Sequence, residues 1–411
     1  MISHLFKLIV NQWRSNIWLM AELFISFVCI WMISDAFVLL LDRSFKERGF
    51  DIEHTYMVSN SRKSKESPDY DPNSGQQDEA RELAERIRHY PGVEVVGFGT
   101  AFPYRTGYSA FQFYRDTLSM NGVYYGYMTP EFFSVFNYKP VDENIYLEEE
   151  VKNGHWLASR TVMEKLLGKG VLKGRLHYGM KDIYDMEGVC VMTTANFARC
   201  EYLEEPDFVW ITLSEKQYLN SYGDEWNMFF RVAPQADHDF RDKFLASMRP
   251  RLIAGNSMIT DIVPMETHRN QVLRLLGFDM YYSIVYFLAA FFLLCTFLGV
   301  IGTFWFRTEA RTSEIGLRMA LGSTRKKVRQ LMIGEGLALF GLIWIPGMVI
   351  AYLLRGVVNI FDYTLPLPDG LYFLFISIFA TLLMSLLIIA GTWYPARQAS
   401  RINPVDALHY E

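Results

Sequence analysis

The chain has 411 residues, of which 51% are apolar and 16% aromatic, and its formal net charge is −5. This composition is too apolar for an ordinary soluble enzyme of that length. The charge is also unevenly spread, because residues 42–280 carry 28 basic and 36 acidic side chains while the short segments beside apolar runs are basic. Basic residues that cluster only beside apolar runs argue against nucleic-acid binding and indicate a membrane protein.

The N-terminal segment, residues 1–16, places apolar side chains at helical spacing. This pattern predicts an amphipathic helix on the inner leaflet, and an irregular tail is the alternative.

The first membrane span is predicted at residues 17–41, although Glu22 and Asp35 interrupt it. These two carboxylates either reach back to the membrane interface or make polar contacts between spans.

A large extracytoplasmic domain is predicted at residues 42–280, with an exposed loop at 59–77. It is large enough to have its own core, and its mixed helix and strand signals indicate an α+β domain. Cys190 and Cys200 both fall within it, and they either form a disulfide or remain thiols. The predicted helices are 78–89, 160–167 and 237–248, and the predicted strands are 93–98, 188–192 and 228–232. A further helix is predicted to open with Thr129 as its N-cap and Pro130 as its first residue.

Three further spans follow, supported by uncharged runs of 26, 19 and 25 residues. The segment between the second and third spans has seven basic and two acidic residues, so it is predicted to be cytoplasmic, as are both termini. The fold class is therefore an α-helical membrane protein with four transmembrane helices and a large α+β extracytoplasmic domain inserted between the first and second. The predicted segments are spans at 281–306, 331–354 and 371–395, a cytoplasmic segment at 307–330, an external loop at 355–370 and a cytoplasmic tail at 396–411.

The middle of the cytoplasmic segment is typical of a short helix with a defined end. Glu314 and Arg318 are four residues apart, Gly322 can adopt the left-handed conformation that ends a helix, and Ser323 or Thr324 can cap the next one. Such a helix, held between two spans, is predicted to dock on a cytoplasmic partner; the alternative is a basic anchor only. The candidate docking residues are Glu314, Ile315, Gly316, Leu317, Arg318, Ala320, Leu321 and Gly322.

Two residues of the third span are also informative. Glu335 lies just inside it and is either an interfacial carboxylate beside Lys327 or Arg329, or a functional group. Pro346 lies in its interior, and a kink is expected rather than a break, because neighbouring helices can satisfy the freed carbonyl.

The motifs of common enzymes are missing from these 411 residues. There is no Gly-x-x-x-x-Gly-Lys-Ser/Thr loop for ATP, no Gly-x-Ser-x-Gly, and no clustered histidines or carboxylates for a metal. Ser323-Thr-Arg-Lys326 formally matches Ser-x-x-Lys but lacks its companion motifs. The prediction is a non-enzyme without a metal or cofactor of its own.

Two segments resemble the FtsX/MacB-like ABC transporter permeases. Residues 314–327 are similar to the segment after the second span of that family, and residues 395–411 to its C-terminus. Weaker similarities to the MacB-like periplasmic core domain occur at residues 127–136, 157–174 and 192–197. The resemblance implies paired four-span subunits, homodimeric or heterodimeric, in the bacterial inner membrane.

The same resemblance implies that ATP is bound and hydrolysed by a separate ABC ATPase, whose closure moves the short cytoplasmic helix. The family's external domains then do work outside, with or without a periplasmic adaptor. The expected function is export or release of a peptide, drug or lipoprotein. The alternative is a non-transport sensor or scaffold that regulates a cell-wall hydrolase or a signalling partner.

Overall fold

The computed structural model describes residues 13–45, 48–140, 142, 145–180, 184–193, 207–222, 226–357 and 369–400. It divides into two compact units, one formed by residues 1–45 with 279–411 and the other by residues 46–278. The helices are α1 (Trp13–Phe45), α2 (Gln76–Arg88), α3 (Pro130–Val135), α4 (Leu147–Lys152), α5 (Arg160–Leu167), α6 (Glu215–Tyr222), α7 (Phe240–Met248), α8 (Met265–Leu275), α9 (Phe278–Ala310), α10 (Thr312–Ala320), α11 (Arg325–Val357) and α12 (Asp369–Ala399).

Residues 46–278 form a mixed α/β unit with two sheet systems. One is a five-stranded sheet in the order β10-β11-β1-β9-β2, and the other is a closed six-stranded barrel in the order β3-β4-β8-β5-β7-β6. The strands are β1 (Thr55–Arg62), β2 (Val93–Phe98), β3 (Ser109–Arg115), β4 (Leu118–Met128), β5 (Trp156–Ala158), β6 (Lys173–Met180), β7 (Tyr184–Met192), β8 (Phe208–Thr212), β9 (Met228–Val232), β10 (Ile253–Ala254) and β11 (Ser257–Pro264).

The barrel has an apolar interior. Phe113, Trp156 and Val209 are among its buried side chains. A Cβ at Gly188 of β7 would collide with the Trp156 ring, so this strand position needs glycine. Cys190 is a free and buried cysteine there, and burial raises the pKa of its thiol well above the ordinary value. Cys200 lies outside the described residues, so the two alternatives for Cys190 and Cys200, a disulfide or two thiols, are not tested by the structure.

Several local expectations for this unit need correction. The first residues of the expected loop at 59–77 belong to β1, and α7 begins at Phe240 rather than at Asp237. Thr129 precedes α3 but makes no side-chain cap, since its hydroxyl accepts a hydrogen bond from Phe98 N at 3.1 Å instead. Thr129 therefore ties α3 to β2 rather than closing its own helix.

Within the described residues, four helices are long and apolar enough to cross a membrane: α1, α9, α11 and α12. Helices α1, α11 and α12 pack together around a buried core that includes Phe27, Leu339 and Met384. Helix α11 continues through Pro346 without a break. By contrast, the described residues leave most of the apolar surface of α9 uncovered, with Phe287 68% exposed. The N-terminal segment expected to be amphipathic lies mostly outside the described residues.

The two charged residues of α1 make contacts between spans. Glu22 accepts a hydrogen bond from Thr303 of α9 at 3.1 Å, and a Cβ at Gly299 would collide with its carboxylate. Asp35 accepts one from Tyr372 of α12 at 2.6 Å. Of the two explanations for these carboxylates, polar contact between spans is therefore the one that the structure supports, because each finds a hydrogen-bond donor on a neighbouring helix.

Candidate functional site: the short helix between two spans

Helix α10 is separated from its neighbouring spans by sharp turns. Arg311 has a non-helical conformation between α9 and α10, and Gly322 has a left-handed φ of 97° after it. Ser323 N donates to Arg318 O at 2.9 Å and Gly322 N donates to Met319 O at 3.0 Å. These two bonds form a Schellman motif, which satisfies carbonyls at the end of the helix and fixes its exit direction.

The start of α11 is capped in turn. Lys327 N donates to the Thr324 hydroxyl at 3.4 Å, as an N-cap side chain does. Helix α10 is thus bounded by a turn at each end, and the sequence expectation for Gly322 and Thr324 agrees with this geometry. A short helix bounded in this way can move as one piece.

The two faces of α10 differ in burial. Ile315 and Gly316 face inward, and Ile315 packs with Val328 of α11 and Ala399 of α12. On the other side, Leu317 is 50% exposed and Leu321 is 80% exposed. These leucines are four residues apart and therefore lie on one face, beside the exposed Ala320. The outer face of α10 is apolar, although it belongs to a segment that is basic as a whole.

An ion pair lies along the side of α10. Arg318 Nη2 donates to Glu314 Oε1 at 2.6 Å, with the two side chains 30% and 40% exposed. An exposed pair at this spacing stabilises a helix by only about 0.3–0.5 kcal/mol. The pair therefore orients two charges at the edge of the apolar face more than it holds the helix together.

A second charged cluster joins α9 and the start of α10 to α11. Arg311 Nη1 donates to both carboxylate oxygens of Glu335, at 2.9 and 3.1 Å, and Arg307 Nη2 lies 3.2 Å from Glu335 Oε1. The side chain of Glu335 is only 12% exposed. The expected partners Lys327 and Arg329 are therefore not those seen, since the carboxylate faces α9 instead.

The sequence contained a signal for this cluster. Arg307 and Arg311 directly follow the predicted span at 281–306 and are four residues apart, so a helix that continues past the span places them on one face. Two bases on one face and a lone acid inside the next span are complementary charges. Sequence reasoning did not connect them because 24 residues separate Arg311 from Glu335.

Comparison with known proteins supports the assignment of the membrane unit. Residues 286–404 match the family model described as FtsX-like permease C-terminal. The membrane unit is that of an FtsX-like permease. The matched residues contain most of α9 and the whole of α10, α11 and α12, so the short helix and its charged clusters belong to the family domain.

Curated relatives of the permease are export proteins. It is 23% identical over 327 residues to the pyoverdine export ATP-binding/permease protein PvdT of Pseudomonas entomophila, covering 72% of this chain and 44% of that protein. It is 36% identical over 126 residues to the macrolide export protein MacB of Hyphomonas neptunium, covering 30% and 18%. The permease thus spans less than half the length of the curated relatives it matches.

A structural comparison finds the periplasmic region of MacB from Actinobacillus actinomycetemcomitans. The identity is 9% and the TM-score is 0.32, over 56% of the permease and 97% of that chain. At this score the superposition is too weak to add to the assignment.

Proposed function

We propose that the permease couples ATP hydrolysis by a separate cytoplasmic ABC ATPase to work done by its extracytoplasmic unit. Helix α10 is the docking element for the ATPase. The work is export or release of a peptide, drug or lipoprotein from the outer face of the bacterial inner membrane. The names of the curated relatives, which export a macrolide or pyoverdine, support this class of activity.

The observation that carries the proposal is the outer face of α10. Leu317 and Leu321 are exposed on a short helix whose end is fixed by a Schellman motif. An apolar helix face seated in a groove is a common recognition mode, and central apolar anchors carry most of the binding energy. Ile315 and Gly316, also predicted as docking residues, are buried, so they act by positioning the helix on the bundle.

The orientation of the permease supports a cytoplasmic partner. Residues 307–329 have an excess of five basic over acidic side chains, and short basic loops remain in the cytoplasm. The same rule supports an external position for residues 46–278. An ATPase that binds α10 would therefore have access to cytoplasmic ATP.

Transmission of the movement is assigned to the Arg311–Glu335 contact. Arg311 begins the turn into α10, and Glu335 lies ten residues inside α11. A displacement of α10 would therefore pull directly on α11 as well as act through the connecting turn. This contact gives the docking helix a short mechanical route into the membrane bundle.

The uncovered surface of α9 is assigned to a second permease subunit, identical or similar. Leu294 and Leu298 are each 56% exposed, and they lie on one face with Phe287. Close packing with a partner span, with α1 contributing, would cover this face. Cysteines at these positions should crosslink two permease subunits in an active complex, and failure at every position along α9 and α1 would contradict the assignment.

Docking is tested by removing the exposed leucines. The permease carrying both Leu317→Ser and Leu321→Ser should fail to retain, during purification from native membranes, the ATPase that accompanies the wild type. Leu118→Ser is the matched control, because Leu118 is 55% exposed in the extracytoplasmic unit and should not affect the ATPase. Unchanged retention and ATP turnover in the double variant would refute docking through α10 and favour the basic-anchor explanation.

A further inference from the structure

A cavity lies between α9, α10 and α11, behind the outer face of α10. Its charged lining consists of Arg307 and Arg311 from the end of α9 and the turn after it, Glu314 and Arg318 from α10, and Glu335 from α11. The remaining lining is largely apolar. The cavity is therefore amphipathic, with charged and apolar walls side by side.

The charges of this lining do not balance. Three arginines face two carboxylates, and both carboxylates already accept hydrogen bonds from these arginines. Glu335 is shared between Arg311 and Arg307, and Glu314 is held by Arg318. One positive charge is left over, and a single anion would neutralise it.

Arg307 also has a donor without an acceptor. Its Nη2 is satisfied by Asn16 and Glu335, but its Nη1 is buried and has no hydrogen-bond partner among the described residues. A buried donor left unsatisfied is costly, and a guanidinium group is well suited to a phosphate oxygen. The lining therefore has an excess positive charge, and Arg307 within it has a buried donor that still needs an acceptor.

The level of the cavity in the membrane indicates which anion. It lies where α9 ends and α11 begins, so it is at the end of two membrane-spanning helices, which is the level of lipid phosphates. Basic pockets between spans are known sites for anionic headgroups. The apolar walls formed by Phe304, Leu331 and Met332 suit the glycerol and acyl carbons next to a phosphate.

We propose that this cavity binds the phosphate of an anionic phospholipid, with Arg307 and Arg318 as its main donors. The bound lipid would neutralise the excess charge and pack beneath α10. The proposal stands apart from the docking role, because it concerns the inner side of α10 and needs no ATPase.

The test is native mass spectrometry of the full-length permease in detergent, titrated with dioctanoyl phosphatidylglycerol, dioctanoyl phosphatidylcholine or inorganic phosphate. Phosphatidylglycerol should bind most tightly. Arg318→Gln should weaken that binding by roughly tenfold, as expected when one charge-assisted hydrogen bond is lost. Glu314→Gln should instead strengthen it, since the lining then has a larger positive excess. A folding defect would weaken lipid binding in both variants. Opposite changes in affinity for phosphatidylglycerol therefore distinguish a direct effect on the site from misfolding.

Lys326→Gln is the control for nonspecific electrostatic attraction of the lipid to the basic surface, because Lys326 is exposed at the start of α11 and lies outside the cavity lining. The Lys326→Gln variant should bind phosphatidylglycerol as tightly as the wild type does. An equal loss in Lys326→Gln and Arg318→Gln would overturn the site in favour of general surface charge. Binding of inorganic phosphate as tight as that of phosphatidylglycerol would overturn the lipid assignment, and unchanged binding in Arg318→Gln would overturn the cavity itself.

Discussion

The contact between Glu335 and its two arginines makes a quantitative prediction about stability. Glu335→Gln keeps the side-chain volume but removes the charge, while Glu335→Ala removes both. Either change leaves Arg307 and Arg311, four residues apart, without the carboxylate that lies between them. Both variants should therefore destabilise the membrane unit.

The magnitude follows from the burial of the pair. Exposed ion pairs contribute about 0–1 kcal/mol, whereas removing one partner of a buried pair costs roughly 3–5 kcal/mol. The side chains of Glu335 and Arg307 are 12% and 13% exposed, which is close to the buried limit. Since some water still reaches the cluster, we expect a loss of about 2–3 kcal/mol in the free energy of unfolding for Glu335→Ala.

The assay is reversible denaturation of the purified permease in mild detergent, combined with a double-mutant cycle. Glu335→Ala, Arg311→Ala and the double variant should give a coupling energy of about 1–3 kcal/mol, as residues in contact do. Glu309→Gln is the control, because Glu309 is exposed near the end of α9 and should change stability by less than about 0.5 kcal/mol. Additive effects of Glu335→Ala and Arg311→Ala would refute the reasoning that these side chains act as one cluster.

Three further predictions concern the turn, the extracytoplasmic unit and the topology. Gly322→Val should destabilise α10 and its turn by roughly 1–3 kcal/mol, because a β-branched residue is strained at a φ of 97°, whereas Gly322→Asn should be better tolerated. Burial alone would raise the pKa of the Glu79 carboxyl group. Hydrogen bonds from Ser257, Ser74 and Asn256 N outweigh this effect, so the pKa in the folded protein is lowered from its ordinary value of 4.5. The stability that Glu79 contributes should therefore be present above pH 4.5 and be lost as the pH falls through the lower folded pKa, so wild type and Glu79→Gln should converge in acid denaturation curves. In a background in which Cys29, Cys190, Cys200 and Cys295 are all replaced by Ala, an impermeant thiol reagent should label Glu66→Cys but not Ser313→Cys in whole cells, and the reverse pattern would overturn the orientation.

The membrane spans and the end of α10 could be predicted from sequence because their signals are local. A long and mostly apolar run predicts a spanning helix, because backbone groups in the bilayer must bond within the segment itself. The end of α10 depends on Gly322, whose conformational freedom permits the left-handed turn. The Glu314–Arg318 pair likewise follows from one helical turn.

Contacts between distant segments were decided only by the tertiary structure. Helix periodicity predicted the charged edge of α10. Which face is buried depends on packing against Val328 and Ala399, which turns Ile315 and Gly316 inward. Leu317 is left on the exposed face. The barrel closes through pairing of β3 with β6, whose residues Phe113 and Tyr178 are far apart in the chain. No local pattern encodes such a pairing, because it depends on how intervening elements bring two edges together.

The charged residues in the spans show most clearly which features the sequence determines and which the tertiary structure decides. The sequence by itself determined that Glu22, Asp35 and Glu335 lie in apolar surroundings, where a carboxylate needs a partner. It did not determine that the partners are Thr303 for Glu22, Tyr372 for Asp35, and the Arg307–Arg311 pair for Glu335. Helix packing decides which donors meet each carboxylate, because it brings together side chains that are remote in the sequence.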